Sequence, residues 1–241
     1  MRRKLVPITN LISVHGAVGE LEADKDSFVP SIALFTGASG YGKSTAIRSA
    51  VGMFGAILLK CFPTTNLGNL LKRICFELGM DAPRFNDDRL QVIIDTLKKT
   101  KTPLFVDEAD LIAKNGLLLE LLKAIHDEAG ITVVLIGMKG IERKLSNHPQ
   151  FLGRISQFVE FTPLDKQDAA LMARELCEIE LTPDLIESMH RQCDGNARRI
   201  IIALQRFETM AKANGLSKLD AATWANRPMF LGVGQKGKAV A

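Results

Sequence analysis

A chain of 241 residues with 46% hydrophobic side chains can bury a sizeable core, as one large domain or one domain with a small appendage. Its 31 basic and 27 acidic residues leave a net charge of +4, which permits nucleic-acid binding without arguing for it. Cys61, Cys75, Cys177 and Cys193 form no CxxC pair and have no histidine at zinc-ligand spacing, so they read as reduced thiols and neither a disulfide scaffold nor a zinc site is expected.

The start, "MRRKLVPITNLISVHGAVG", is basic and then apolar. Pro7, Asn10, Ser13 and His15 interrupt it, and no convincing cleavage pattern follows, so it reads as a lead-in segment rather than a leader. No run reaches the ~18 apolar residues of a membrane span, and a cytoplasmic protein is the expectation.

From residue 31 onward, apolar runs of strand length alternate with segments of helical period. The strand candidates are "SIALFT", "GAILLKC", "PLFVD", "ITVVLIG" and "QFVEFT"; "LGNLLKRICFELGM", "DRLQVIIDTLKKT" and "NGLLLELLKAIHDEAG" carry apolar residues at three-to-four spacing between them. That alternation predicts a parallel sheet covered by helices. After Pro163 only helical periods remain, in "DKQDAALMARELCEI", "TPDLIESMHRQC" and "NARRIIIALQRFETMAKANG", with Thr182-Pro183 a good helix start. The reading is an α/β domain over 1–163, a small helical lid over 164–230, and a flexible glycine- and lysine-rich tail over 231–241.

Between the first strand and its helix lies "GASGYGKST": Gly37, Ala38, Ser39, Gly40, Tyr41, Gly42, Lys43, Ser44 and Thr45. It satisfies G-x-x-x-x-G-K-[ST] in the strand-to-helix setting that a phosphate loop requires. Glycines let successive N–H groups turn inward toward phosphate oxygens, and the helix N-terminus adds partial positive charge. Lys43 reaches the β and γ phosphates of ATP, and Ser44 ligates Mg²⁺. A chance match in a chain this long is on the order of one in a hundred, so the motif and its context together favour a cradle over a plain turn.

"TPLFVDEAD" supplies the acidic partner. Asp107 and Glu108 fall at the carboxyl end of a strand candidate, where open α/β sheets bind ligands. Asp107 would complete the magnesium shell, and Glu108 would orient and polarise the attacking water. The string "DEAD" invites an RNA-helicase reading, but such enzymes need two similar lobes and this chain has room for one.

The stretch "ITVVLIGMKGIERKLSNHPQFLGRISQFVEFTPL" and, later, "CDGNARRIIIAL" resemble the AAA+ ATPases. They are most similar to the branch that contains MuB, TnsC, TniB and ExeA, through the I-G-x-x-x-I/L-x-x-x-L run, the G-R-I step and the G-N-A-R-R motif, over about residues 8 to 230. The resemblance implies a P-loop AAA+ fold with a helical lid. It also implies ATP hydrolysis with Mg²⁺, and an ATP-bound homo-oligomer, ring or filament, that holds double-stranded DNA without strong sequence preference and serves a transposase. The implied location is the cytoplasm, that of the bacterial host if the chain is phage-encoded. Arg154 would be the finger inserted into a neighbour's ATP, with Arg143 a second interface candidate, and Arg198 or Arg199 would sense the γ phosphate from the lid.

Basic residues near loops that AAA+ proteins turn toward their channel are Lys60, Lys72, Arg73, Lys114 and Lys139, the candidate DNA contacts. Two alternatives carry the same motifs: an ExeA-like ATPase acting on a protein partner, and a nucleotide-dependent scaffold with negligible turnover. Two departures from the pattern stand out. Gly137-Met138 occupies the strand end where a polar sensor is often found, so water positioning is expected to be weaker or borrowed. Only 36 residues precede Gly37, too few for the DNA-binding helical domain that precedes the core of MuB.

Overall fold

The computed structural model describes residues 1–23, 29–225 and 227–229; the tail assigned to 231–241 lies outside them. Two compact units divide the chain, one of Asn10–Thr162 and one of Met1–Thr9 with Pro163–Ala241.

The larger unit is built on five parallel strands: β1 (Ile32–Gly37), β2 (Ile57–Lys60), β3 (Leu104–Asp107), β4 (Val133–Gly137) and β5 (Ile155–Phe161), in spatial order β2-β3-β4-β1-β5. β1 and β4 are buried along their whole length, which is why they read as unbroken apolar runs rather than alternating ones. The register aligns their carboxyl ends: Thr36 pairs with Gly137, Gly37 with Phe161, and Lys60 with Asp107.

Helices α1 (Thr9–Ala23), α2 (Lys43–Phe54), α3 (Leu67–Glu77), α4 (Asn86–Thr100) and α5 (Gly116–Ala129) accompany the sheet. The caps are local and readable. Asn66 accepts from the Asn69 N–H at the start of α3, Asn115 accepts from Leu118 N–H at the start of α5, and Gly55 closes α2 at φ 61°. Leu70, Leu71 and Ile74 of α3, Ile93 and Leu97 of α4, and Leu122 and Ile125 of α5 are buried in one cluster with Leu59, Leu104, Val106 and Leu135 of the strands. Each such side chain contributes about 1.5–3 kcal/mol when fully buried, so this cluster is the main support of the sheet. Between β4 and β5 the chain makes two short helices, α6 (Ile141–Leu145) and α7 (Pro149–Leu152).

The second unit contains α8 (Lys166–Leu176), α9 (Pro183–Cys193), α10 (Ala197–Ala213) and α11 (Ala221–Trp224). Helix α9 starts at Pro183, where a missing N–H costs nothing. The expectation that strands stop after Pro163 is corrected: β6 (Glu180–Leu181) and β7 (Lys218–Leu219) form a short parallel pair that brings the chain beyond α10 back beside the end of α8. Phe207 and Trp224 meet edge to face at 4.7 Å, and they are buried, as are Leu185, Met189 and Leu204 of the same unit. The first residues join this unit by Arg2 N–H donating to Leu176 O at 2.8 Å and by a Lys4–Glu175 ion pair. All four cysteines are free and buried. No helix among the described residues is long and apolar enough to cross a membrane.

Candidate nucleotide site

The glycine-rich loop leaves β1 at Gly37 and enters α2 at Lys43. Gly40 and Gly42 sit at φ 92° and 89°, left-handed conformations in which glycine alone is unstrained, and Gly42 O accepts from the N–H groups of Thr45 and Ala46 to start the helix. A Cβ on Gly37 would lie 2.6 Å from the Phe161 Cβ, so the loop departs flush against the end of β5. The result is a curl of backbone at a helix N-terminus, the geometry that suits phosphate. Lys43 Nζ donates to the carbonyl oxygens of Gly37 and of Ala38, the latter at 2.9 Å. Burial pushes the Lys43 pKa down from the ordinary lysine range, and the carboxylates of Asp107, Asp110 and Glu108 oppose that fall.

Asp107 ends β3 and its Oδ1 accepts from the Glu108 N–H at 2.9 Å. Glu108 adopts φ 56°, ψ 37°, a left-handed backbone that costs a non-glycine residue about 1–3 kcal/mol and persists where the surroundings enforce it. It caps a 3₁₀ turn, Ala109–Leu111, and redirects the chain away from the strand at the point where its carboxylate is presented. Ser44 in the first turn of α2 and Asp107 at the end of β3 offer hard oxygen donors, the chemistry that Mg²⁺ prefers, at the carboxyl-terminal edge of the sheet. The loop, Asp107 and Glu108 thus share one edge, and this donor set fits a magnesium-bound nucleoside triphosphate.

The remaining candidates are distributed differently. Arg154 immediately precedes β5, whose Ile155 pairs with Ile32 at the start of β1. It therefore lies at the amino edge of the sheet, one strand length, about 20 Å, from the loop of its own chain. Its guanidinium donates to Asp127 at the end of α5 and is 38% exposed. Arg143 is exposed on α6. Arg198 and Arg199 are exposed in the first turn of α10 in the second unit, where Asn196 caps the helix by accepting from the Arg199 N–H.

Among the basic candidates, Lys60, Lys72 and Lys114 are exposed. Arg73 donates to Lys60 O and stacks 5.2 Å from the Phe62 ring centroid; Lys139 pairs with Glu160 at 2.8 Å. The Lys139–Glu160 pair is exposed at both ends and so contributes little to stability.

Sequence reasoning missed Asn10. It is buried, its Nδ2 donates to Tyr41 O at 3.1 Å and Thr162 O at 2.9 Å, and its Oδ1 accepts from the Thr162 N–H at 3.3 Å. One amide thereby ties the loop to the residue after β5. It also missed Asp110, whose only signal was being the third acid in "DEAD".

Comparison with known proteins places this geometry. Residues 26–145 match the family model described as "AAA domain". A potential ATP-binding protein of Staphylococcus aureus is 43% identical over 130 residues, which are 48% of this chain and 46% of that protein. The chain thus spans less than half of that relative's length. Two solved structures share the fold at low identity. Cdc6p of Pyrobaculum aerophilum is 18% identical with a TM-score of 0.62, over 90% of this chain and 66% of that one. The Aeropyrum pernix Orc1 protein, solved in complex with DNA, is 16% identical with a TM-score of 0.58, over 89% and 63%. The match to the AAA domain over residues 26–145, the sheet order and the loop geometry agree on a P-loop fold of the AAA type.

Proposed function

We propose that this chain is an ATP-dependent DNA-binding AAA+ ATPase that oligomerises on duplex DNA and delivers target DNA to a transposase. The observation that carries the nucleotide part is the shared edge: a curled glycine loop with Lys43 at its mouth, and Asp107 and Glu108 at the end of β3. In this reading the loop N–H groups and Lys43 bind the β and γ phosphates, and Ser44 and Asp107 hold Mg²⁺, which supplies charge neutralisation of the phosphates when bound. Glu108 accepts a proton from the attacking water. Arg154, remote from its own loop, serves the nucleotide of a neighbouring subunit, and Arg198 or Arg199 reaches the γ phosphate from the lid.

The DNA part is supported by the exposed Lys60, Lys72 and Lys114, by the fold shared with an Orc1 protein solved on DNA, and by the G-N-A-R-R likeness to transposition ATPases. One or two phosphate contacts per subunit, repeated around an oligomer, sum to strong binding from a chain of modest charge. Steady-state phosphate release with and without duplex DNA tests the reading. Turnover that rises with DNA supports it, and turnover indifferent to DNA moves the assignment to a protein-directed ATPase.

A further inference from the structure

One carboxylate beside the site has no part in the reading above. Asp110 lies two residues beyond Glu108 in the same 3₁₀ turn, and its side chain is only 14% exposed. Its Oδ2 accepts from the Met138 N–H at 2.6 Å. Its Oδ1 lies 3.4 Å from Lys144 Nζ on α6, and the same ammonium reaches the Asp110 carbonyl oxygen at 3.3 Å.

The approach depends on a missing side chain. A Cβ on Gly137 would sit 2.7 Å from Asp110 Oδ2 and 2.6 Å from Ile141 Cδ1, so a side chain there would force the Asp110 carboxylate and Ile141 to shift from these positions. Glu108, Asp110, the end of β4 and α6 are therefore closed into one piece through a single carboxylate. Met138 is in turn adjacent to the site, its sulfur 3.9 Å from Lys43 Nζ.

We propose that Asp110 is a positioning residue for hydrolysis: by clamping the turn to Met138 and Lys144 it holds Glu108 in its left-handed backbone and fixes the direction of the Glu108 carboxylate. This rests on the ATPase reading. It assigns a role to the glycine at the end of β4, where a side chain would displace the clamping carboxylate. Asp110 acts through Glu108 and the β4 end and makes no contact with the reacting atoms.

The test compares turnover, KM for ATP and affinity for a non-hydrolysable ATP analogue in wild type, Asp110→Ala, Asp110→Asn and Gly137→Ala. Hydrogen bonds to charged groups of this kind account for about ten- to a hundredfold in rate, so Asp110→Ala and Gly137→Ala should each lower kcat by that factor. Analogue affinity should stay within about twofold, the signature of a contribution to the chemical step alone. Asp110→Asn, which keeps an oxygen for the Met138 amide, should recover part of the rate. If Asp110→Ala does not fold, Asp110→Asn and Gly137→Ala decide. Unchanged kcat in folded variants overturns the proposal, as does an equal loss of kcat and affinity. A wild type that binds ATP without turnover overturns the ATPase reading, and this role with it; an active wild type with equally active variants overturns this role alone.

Discussion

The side-chain amide of Asn10 donates to the carbonyl oxygen of Tyr41, 31 residues away in the phosphate loop, at 3.1 Å. The same buried amide serves both backbone groups of Thr162, so a residue from the start of the chain joins the loop to the exit of β5. Asn10→Ala leaves two carbonyl oxygens and one N–H without that partner. The lost hydrogen bonds contribute about 0.5–1.5 kcal/mol each, and urea unfolding should show a loss of at least that size. Weakened ATP affinity should accompany it, because Tyr41 belongs to the loop. A variant with wild-type stability would remove Asn10 from the account.

Lys43→Ala removes the cation meant for the β and γ phosphates. Hydrogen bonds to charged groups contribute about 1.5–3 kcal/mol each, so calorimetry should show ATP affinity reduced at least tenfold. Glu108→Gln should behave oppositely, binding ATP normally while hydrolysis falls. Loss of binding in both variants would mean that the two residues do not divide the work between binding and chemistry.

Arg154 sits at the wrong edge of the sheet to serve its own nucleotide, which is what a finger supplied to a neighbour requires. Arg154→Ala should keep nucleotide binding and lose ~10³- to 10⁵-fold in turnover. Mixing Arg154→Ala with Lys43→Ala subunits should restore partial activity at a shared site. No recovery at any ratio would return Arg154 to its surface pairing with Asp127.

Acid stability has an identifiable contributor in the second unit. Burial pushes the Glu208 pKa upward, but Lys212 at 2.8 Å, the Met1 ammonium and the Glu178 N–H outweigh it and bring the group down to about 2 from the ordinary 4.5. A depressed folded-state value means that the unfolded chain binds the proton first as pH falls. Glu208 therefore stabilises fully above about pH 4.5 and loses that contribution progressively as pH falls toward 2. Glu208→Gln should flatten the stability-versus-pH curve in that window and cost about 1–3 kcal/mol at neutral pH, measured by denaturant titration across pH.

The features legible in the sequence are those that the chain writes contiguously. Nine residues in a row spell the phosphate loop, and the buried parallel strands Ile32–Gly37 and Val133–Gly137 are apolar apart from Thr36, so both stand out as unbroken runs. Asp107 and Glu108 follow their strand directly. What stayed hidden depends on tertiary approach. Asn10 meets partners 31 and 152 residues away, and nothing local distinguishes it from any polar residue that interrupts an apolar run. Gly137 looked like a deficiency until the fold placed Asp110 against it. The two-residue strands β6 and β7 and the four-residue helix α7 are shorter than any periodic signal.

The central claim, nucleotide-controlled assembly on DNA, is tested most directly by fluorescence anisotropy on two unrelated duplexes, with ATP and with ADP, across a salt series. Binding should be tight to both duplexes with ATP and weak with ADP, with a log-log salt slope near −0.9 for each phosphate neutralised. The slope should shrink in Lys60→Ala, Lys72→Ala or Lys114→Ala. Equal, weak binding in both nucleotide states would contradict it.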